Sequence, residues 1–343
     1  MDTDWSSKKF VVGTRASDLA KTQTYEVIDL LIEAAKEKNI ILSKDNFDVH
    51  EIHHSLGDKD QKHKLYNMSG VGVFCKQLEI ELLQKSCQIA VHSMKDLPTT
   101  LTEGLVVTAI PDLKARDDIV ILKESNKHLG SLDKLPKGSK IGTSSLRRIW
   151  TLKQKHPDLE IIDIRGNLNT RLKKLEEEDF DAIILAKAGV ERLGWKDKID
   201  QVLSKDSFQY PPAQGALAVQ CREDDPDTIE LLKLIDNPFS RWIVQAERMY
   251  LKTLEGGCTL PISVNSTVYK TEDDSKQELT DFSSVSVEDW SLKLEGTVFD
   301  RKDLTQFLAH ATEGKLSDWE NIAKELANDL REKGARDFII ESE

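Results

Sequence analysis

The stretch KIGTSSLRRIW (140–150) sets two adjacent arginines, Arg147 and Arg148, directly after a run of hydroxyls at Thr143, Ser144 and Ser145. Seventeen residues further on, IRGNLNTRL adds Arg165 and Arg171. Arg15 follows the apolar run FVVG, and Arg192 lies in KAGVERLG. A guanidinium is a planar fork that grips a carboxylate through two parallel hydrogen bonds. Arginines gathered in one neighbourhood therefore point to a ligand with several carboxylates, and phosphate would fit nearly as well. Taken alone, each of them reads first as a surface ion pair; it is their shared placement at strand ends that favours a ligand.

Two further residues have chemistry of a different kind. Asp96, in HSMKDLP, is an acid among the cations. A carboxylate there could stabilise a transient positive charge, shuttle a proton, or cap a turn before Pro98. Cys258 follows two glycines in LEGGCTLPI, a turn that leaves a thiol open to covalent chemistry. Cys75, Cys87 and Cys221 sit in apolar contexts and read as inert core thiols.

Elements that must position these residues follow from the apolar pattern. FVVG (10–13), IAVH (89–92), GLVVTAI (104–110), DIVILK (118–123), KIG (140–142), EIIDI (160–164) and DAIILA (181–186) read as buried strands. Helical spacing runs from about Ser17 to Lys36, and SLRRIWTLKQK, LNTRLKKLEEE and KAGVERLG continue the alternation. Ser145 stands at an N-cap. Strand alternating with helix predicts a parallel α/β architecture, in which ligands bind beyond the carboxyl ends of the strands. The cations and Asp96 all follow such strands. QYPPAQGALAVQC (209–221) reads as an extended crossover returning to a strand, and NPF (237–239) as a break. Beyond Cys258 the pattern predicts two strands, the helix LSDWENIAKELANDLREKG ended by Gly334, and a last strand DFIIE, together a small α+β domain.

Composition narrows the possibilities. The chain has 343 residues and a formal net charge of −12. That length predicts two or three domains, and that charge argues against a nucleic-acid binder. No apolar run reaches the roughly 20 residues that span a bilayer. The start, MDTDWSSKKF, has no apolar targeting region. Four scattered cysteines without a CxxC pair favour reduced thiols in the cytoplasm. The histidines of HEIHHSLGDKDQKH (His50, His53, His54, His63) have spacing unsuited to a metal site, and GVGVF (70–74) lacks the lysine and length of a phosphate-binding loop. No metal is expected.

The motifs GTRASDLAKTQ, AVHSMKDLPT, GTSSLRR, IRGNLNTRL, DAIILAKAGVERLG, QGALAV and LEGGCTLPI, in that order from residue 13 to 262, resemble the hydroxymethylbilane synthase (porphobilinogen deaminase) family. The resemblance implies head-to-tail condensation of four porphobilinogen molecules to the linear tetrapyrrole hydroxymethylbilane, with release of ammonia. It further implies a dipyrromethane cofactor held by a thioether on Cys258. Ser93, Lys95, Thr143, Ser145, Arg147, Arg148, Arg165 and Arg171 match positions around cofactor and growing chain. Arg15, Ser17, Gln23 and Arg192, with Arg165 and Arg171, match positions linked to incoming or growing pyrroles. Asp96 matches the catalytic aspartate that faces the pyrrole N–H groups and the azafulvene cation.

The implied fold has two lobes similar to periplasmic binding proteins, with the cofactor in the cleft between them. One lobe is discontinuous (1–114 plus 216–235), the other runs 118–210, and a third, smaller α+β domain (238–343) carries Cys258. The implied protein is a cytoplasmic monomer whose partners are porphobilinogen and the growing polypyrrole, with no nucleic acid or membrane. Two departures stand out: Asn67 and Val71 occupy loop positions where the family usually has lysine, and the segment before Arg116 reads PDLKARDD. A non-catalytic anion-binding module is the competing reading; it gives Asp96 no role and Cys258 no adduct. A phosphate-handling transferase would need a glycine-rich loop or paired metal carboxylates, which the sequence lacks.

Overall fold

The computed structural model describes residues 5, 7–52, 75–254, 261–270, 290–303 and 305–339. The chain divides into two compact units, Met1–Leu113 with Ala216–Arg241, and Lys114–Gly215 with Trp242–Glu343.

The first unit is built on strands β1 (Phe10–Arg15), β2 (Phe47–Ile52), β3 (Ile89–Ser93), β4 (Leu105–Ala109) and β10 (Leu217–Arg222), in the order β2-β1-β3-β10-β4. Helix α1 (Asp18–Glu37) follows β1 directly. Ser17 caps it by accepting the Ala20 N–H, and Ala20, Thr24, Val27, Ile28, Leu31 and Ala35 form its buried face. Helix α2 (Lys76–Leu83) lies between β2 and β3 in sequence. The sheet serves two cores because successive strand residues face opposite ways. Ile89 and Val91 join the cluster containing Val27 and Leu31, whereas Ala90 joins Leu78 and Leu82 of α2.

The second unit repeats the scheme with β5 (Asp118–Leu122), β6 (Lys140–Gly142), β7 (Glu160–Ile162), β8 (Ala182–Ala186) and β9 (Gln201–Val202), ordered β7-β6-β8-β5-β9. Here Ile119, Ile121, Ile183 and Leu185 fill one core, and Val120, Leu122, Ala182 and Ile184 fill the other. Helices α3 (Leu146–Lys155), α4 (Leu168–Glu177) and α5 (Lys187–Arg192) follow β6, β7 and β8. The unit also holds α7 (Pro238–Thr253) from Trp242 onward, and the antiparallel sheet β11 (Ile262–Lys270), β12 (Trp290–Phe299) and β13 (Phe307–Lys315), followed by α8 (Trp319–Glu332). Helix α6 (Pro226–Leu232) belongs to the first unit.

The α/β class expected from the sequence is what the fold shows, with three corrections. Neither five-stranded sheet is purely parallel, since β10 runs antiparallel to β3 and β4, and β5 to β8 and β9. A strand buried on both faces reads as the same apolar run in either direction, so its pattern carries no sense of direction. Beyond Cys258, three described strands, not two, precede the C-terminal helix α8. The last segment is a short helix, α9 (Ala335–Ile339), not a strand: Ala335 and Ile339 are buried four residues apart, the spacing of one helical face. Gly334 does end α8, with φ +97°.

Candidate active site

In the first unit, β1 and β3 are parallel neighbours, and the residues after their carboxyl ends come together. Gln23, on the buried face of α1, donates to Ser93 Oγ (2.9 Å). Arg15 ends β1 and Ser17 caps α1. Ser93 ends β3, and Met94–Asp96 form a 3₁₀ turn. Asp96 is exposed. Its backbone carbonyl accepts from the Cys75 thiol (3.3 Å), but its carboxylate has no partner among the described residues. A turn-capping aspartate would accept a backbone N–H through its side chain, and this one does not.

In the second unit, β7, β6 and β8 are adjacent and parallel, so the segments after them share one end of the sheet. Thr143 is buried and takes the Ser145 N–H on Oγ1 (3.3 Å); Ser145 caps α3 by accepting from Arg148 N (3.5 Å). Arg165 donates to Asp163 (2.8 Å), Arg171 Nε to the Gly166 carbonyl (2.9 Å), and Arg192 to the Gly215 carbonyl (3.1 Å). Arg147, Arg148, Arg165, Arg171 and Arg192 thus follow the strands of this unit, while Asp96, Lys95, Ser93, Arg15, Ser17 and Gln23 lie in the other.

Arg147 and Arg148 are not displayed on the surface. They are 3% and 7% exposed, and both turn onto Asp118, the first residue of β5, which is wholly buried. Arg148 grips it bidentately, with Nε on Oδ2 (3.0 Å) and Nη2 on Oδ1 (2.7 Å), and gives Nη1 to the Ile184 carbonyl (2.9 Å). Arg147 gives Nη2 to Asp118 Oδ2 (2.7 Å) and Nη1 to the Gln209 carbonyl (2.6 Å). Gln214 completes the shell, donating to Asp118 Oδ1 (2.9 Å) and to the Arg116 carbonyl (2.6 Å). Burial by itself would raise the Asp118 pKa, but the two guanidiniums outweigh it and hold the carboxyl well below the usual range. Two cations on one anion leave a positive excess beside the start of α3, where unpaired N–H groups also favour an anion.

A second buried ion pair adjoins this one. Arg116 pairs with Glu247 of α7, donates to Ser266 Oγ (2.6 Å) and lies 3.9 Å from the Tyr210 ring centroid. Glu247 also accepts from Ala213 N (2.7 Å) and Ser266 Oγ (2.6 Å). The segment 209–216 is thereby fixed at both Arg147 and Glu247.

Asp118, Gln214 and Glu247 were missed by the sequence reading. A detectable signal existed for Asp118, an acid opening an otherwise wholly apolar strand, because a buried charge must be paired. The same signal marks His92 in β3 and Gln220 in β10, both buried and bonded to each other (2.9 Å). Cys75, Cys87 and Cys221 are buried and form no disulfide among the described residues, and burial pushes the Cys87 thiol up to about 11. Cys258, Asn67, Val71, the GVGVF stretch, His53, His54 and His63 lie outside the described residues.

Comparison with known proteins bears directly on this site. Residues 10–230 match the family model described as porphobilinogen deaminase, dipyromethane cofactor binding domain, and residues 242–332 match the porphobilinogen deaminase C-terminal domain. The chain belongs to the porphobilinogen deaminase family. The porphobilinogen deaminase of Nostoc sp. is 38% identical over 96% of this chain and 93% of its own. That of Staphylococcus aureus (strain MRSA252) is 37% identical over 97% of each. Among solved structures, the methionine-binding protein MetQ covers 70% of this chain and 90% of its own at 14% identity, with a TM-score of 0.38.

Replacing Asp118 by asparagine leaves two buried guanidiniums without their carboxylate, which typically costs about 3–5 kcal/mol. The urea midpoint of Asp118→Asn should drop accordingly; a midpoint unchanged from wild type would show that the pair does not hold this end of the sheet.

His92 yields a pH-dependent expectation. Burial pushes its pKa down from 6.5 to about 4, against the raising effect of the Gln220 hydrogen bond. The unfolded imidazole binds a proton below its ordinary pKa, and the folded one only near 4. Stability is therefore full at neutral pH and falls as pH drops through that window, by at most about 3 kcal/mol. Urea unfolding of wild type and His92→Gln at pH 7 and pH 4.5 measures it; equal pH slopes in the two proteins would contradict it.

Proposed function

We propose that this chain is a hydroxymethylbilane synthase that joins four porphobilinogen molecules head to tail, with loss of ammonia at each addition. The observation that carries the reading is Asp96: an exposed carboxylate at the carboxyl end of a buried strand, with no partner of its own among the described residues. A carboxylate so placed is available to a substrate cation. It accepts from pyrrole N–H groups and stabilises the cation left when an incoming porphobilinogen loses ammonia.

The donor set fits a dipyrromethane. That cofactor carries carboxylates, and two 10-residue helices, α3 and α4, open beside cations with a hydroxyl or amide N-cap at Ser145 and Asn167. Thr143, Ser145, Arg147, Arg148, Arg165 and Arg171, with Ser93, Lys95 and Asp96, would hold it, and Cys258 would anchor it as a thioether. When bound, the dipyrromethane supplies the nucleophilic pyrrole carbon on which the chain grows. Arg165 and Arg171 also serve the growing chain. The burial of Arg147 and Arg148 on Asp118 gives them a fixed electrostatic role at the start of α3. Arg15, Ser17 and Arg192 take the carboxylates of incoming units, and Gln23 acts through Ser93, which it already holds.

No helix among the described residues is long and apolar enough to cross a membrane. Three buried thiols in no disulfide among the described residues support a reducing compartment, the cytoplasm.

The test is an intact-mass spectrum with turnover. Wild-type protein should be heavier than its sequence by one dipyrromethane, and Cys258→Ser should have the unmodified mass. Asp96→Asn should lose about 10²–10³ in kcat, the usual cost of one preorganised electrostatic partner. A modified, active Cys258→Ser protein, or wild-type turnover in Asp96→Asn, would overturn the assignment.

A further inference from the structure

The Asp96 carboxylate has no hydrogen bond or ion pair of its own among the described residues, so its placement depends on the backbone that leads to it. That backbone leaves β3 at His92 and Ser93, whose side chains point to opposite faces of the sheet. Ser93 is tied on one face to Gln23 of α1. On the other face His92 begins a directional chain. Its Nε2 lies 2.9 Å from Gln220 Oε1, Gln220 Nε2 donates to Glu79 Oε1 (3.1 Å), and Thr102 Oγ1 donates to Glu79 Oε2 (2.8 Å).

The direction of this chain is set by its acid. Glu79 accepts on both carboxyl oxygens, from Gln220 Nε2 and Thr102 Oγ1, which sets the Gln220 amide with its nitrogen toward Glu79 and its oxygen toward His92. That oxygen in turn compels the imidazole to carry its proton on Nε2. Glu79, Gln220 and His92 are all buried, so no member can exchange its partner for bulk water at low cost. Two residues of β10, Ala218 and Gln220, face His92 and Ala90 in register, which makes the His92–Gln220 contact a diagonal stitch across neighbouring strands. The turn is held further by Met94 N on the Ala216 carbonyl (3.0 Å) and by the Cys75 thiol on the Asp96 carbonyl. Cys75 is the N-cap of α2, and Glu79 lies in the first turn of that helix.

We propose that Glu79 and His92 are positioning residues for Asp96: the start of α2 holds the Met94–Asp96 turn through the Glu79–Gln220–His92 chain and the Cys75 thiol, and so fixes where the carboxylate is presented. The proposal rests on the reading of Asp96 as the group that stabilises the substrate cation. Glu79→Gln is the informative variant because it keeps size and shape but can donate as well as accept. The Gln220 amide can then turn over and His92 can take its other tautomer.

The experiment uses cofactor-loaded enzyme, its loading checked by intact mass, below the melting temperature of each variant. In Glu79→Gln, kcat should fall about ten- to hundredfold, the scale expected when a catalytic group is misplaced by up to an ångström. KM should stay within about twofold, because Arg15, Ser17 and Arg192, which take the carboxylates of incoming units, are unaltered. Amide hydrogen exchange over residues 92–97 should speed up, a readout independent of turnover. The exchanged pair Glu79→Gln/Gln220→Glu restores a carboxylate at the centre of the chain and should recover most of the lost kcat. Wild-type kcat and exchange in folded, loaded Glu79→Gln would overturn the proposal. Failure of the underlying reading is seen separately, as wild-type turnover in Asp96→Asn.

Discussion

One carboxylate with two guanidiniums on it organises the cationic half of this protein. Asp118 is wholly buried, and its four hydrogen bonds come from Arg147, Arg148 and Gln214. A buried ion pair is poor evidence of net stabilisation, because taking charges out of water costs several kcal/mol per ion. Its effect lies in arrangement. Arg148 fastens β5 to β8 through the Ile184 carbonyl, and Arg147 fastens the start of α3 to Gln209. Since two cations share one anion, the cluster neutralises itself only in part. An acidic chain thereby keeps a local positive field without a basic surface.

The neighbouring Arg116–Glu247 pair is balanced one to one and serves a different end. Glu247 comes from α7, Ser266 from β11 and Tyr210 from the crossover, so this pair ties the C-terminal segment to the strand that Asp118 opens. Gln214 donates to both clusters. Gly215, next to it, has φ +90°, and a Cβ there would lie 2.7 Å from the Lys114 carbonyl oxygen, so only glycine lets the two crossing segments pass so closely. The field at the start of α3 therefore depends on residues from six separate stretches of chain.

Much of this was legible in the sequence, and the limits have physical causes. Local signals held: the Ser145 cap, the α1 face and the buried strands depend on neighbours within a few residues. The gathering of cations at strand ends was also legible, because the switch-point rule needs only strand order and a following helix. What the cations touch was not. Asp118 lies about 30 residues from its arginines, and nothing local says that their charge turns inward. Strand direction failed for β5 and β10 for the reason that doubly buried strands show no polarity. DFIIE failed because a short apolar run fits a strand or a helix equally well, and burial of Ala335 with Ile339 decided for the helix. His92 was not singled out, although a polar residue inside an apolar strand is a stronger signal than the histidine cluster that was weighed and rejected as a metal site.

The central claim is that Asp118 and Arg148 act as one unit on which this end of the sheet is built. A double-mutant cycle measures that directly, using urea unfolding of wild type, Asp118→Asn, Arg148→Met and the double variant. Groups that share one buried network should show a coupling of about 1–3 kcal/mol, with the double variant little worse than the worse single one. Effects that add to within about 0.5 kcal/mol would mean the two side chains act independently, and the account built on Asp118 would be wrong.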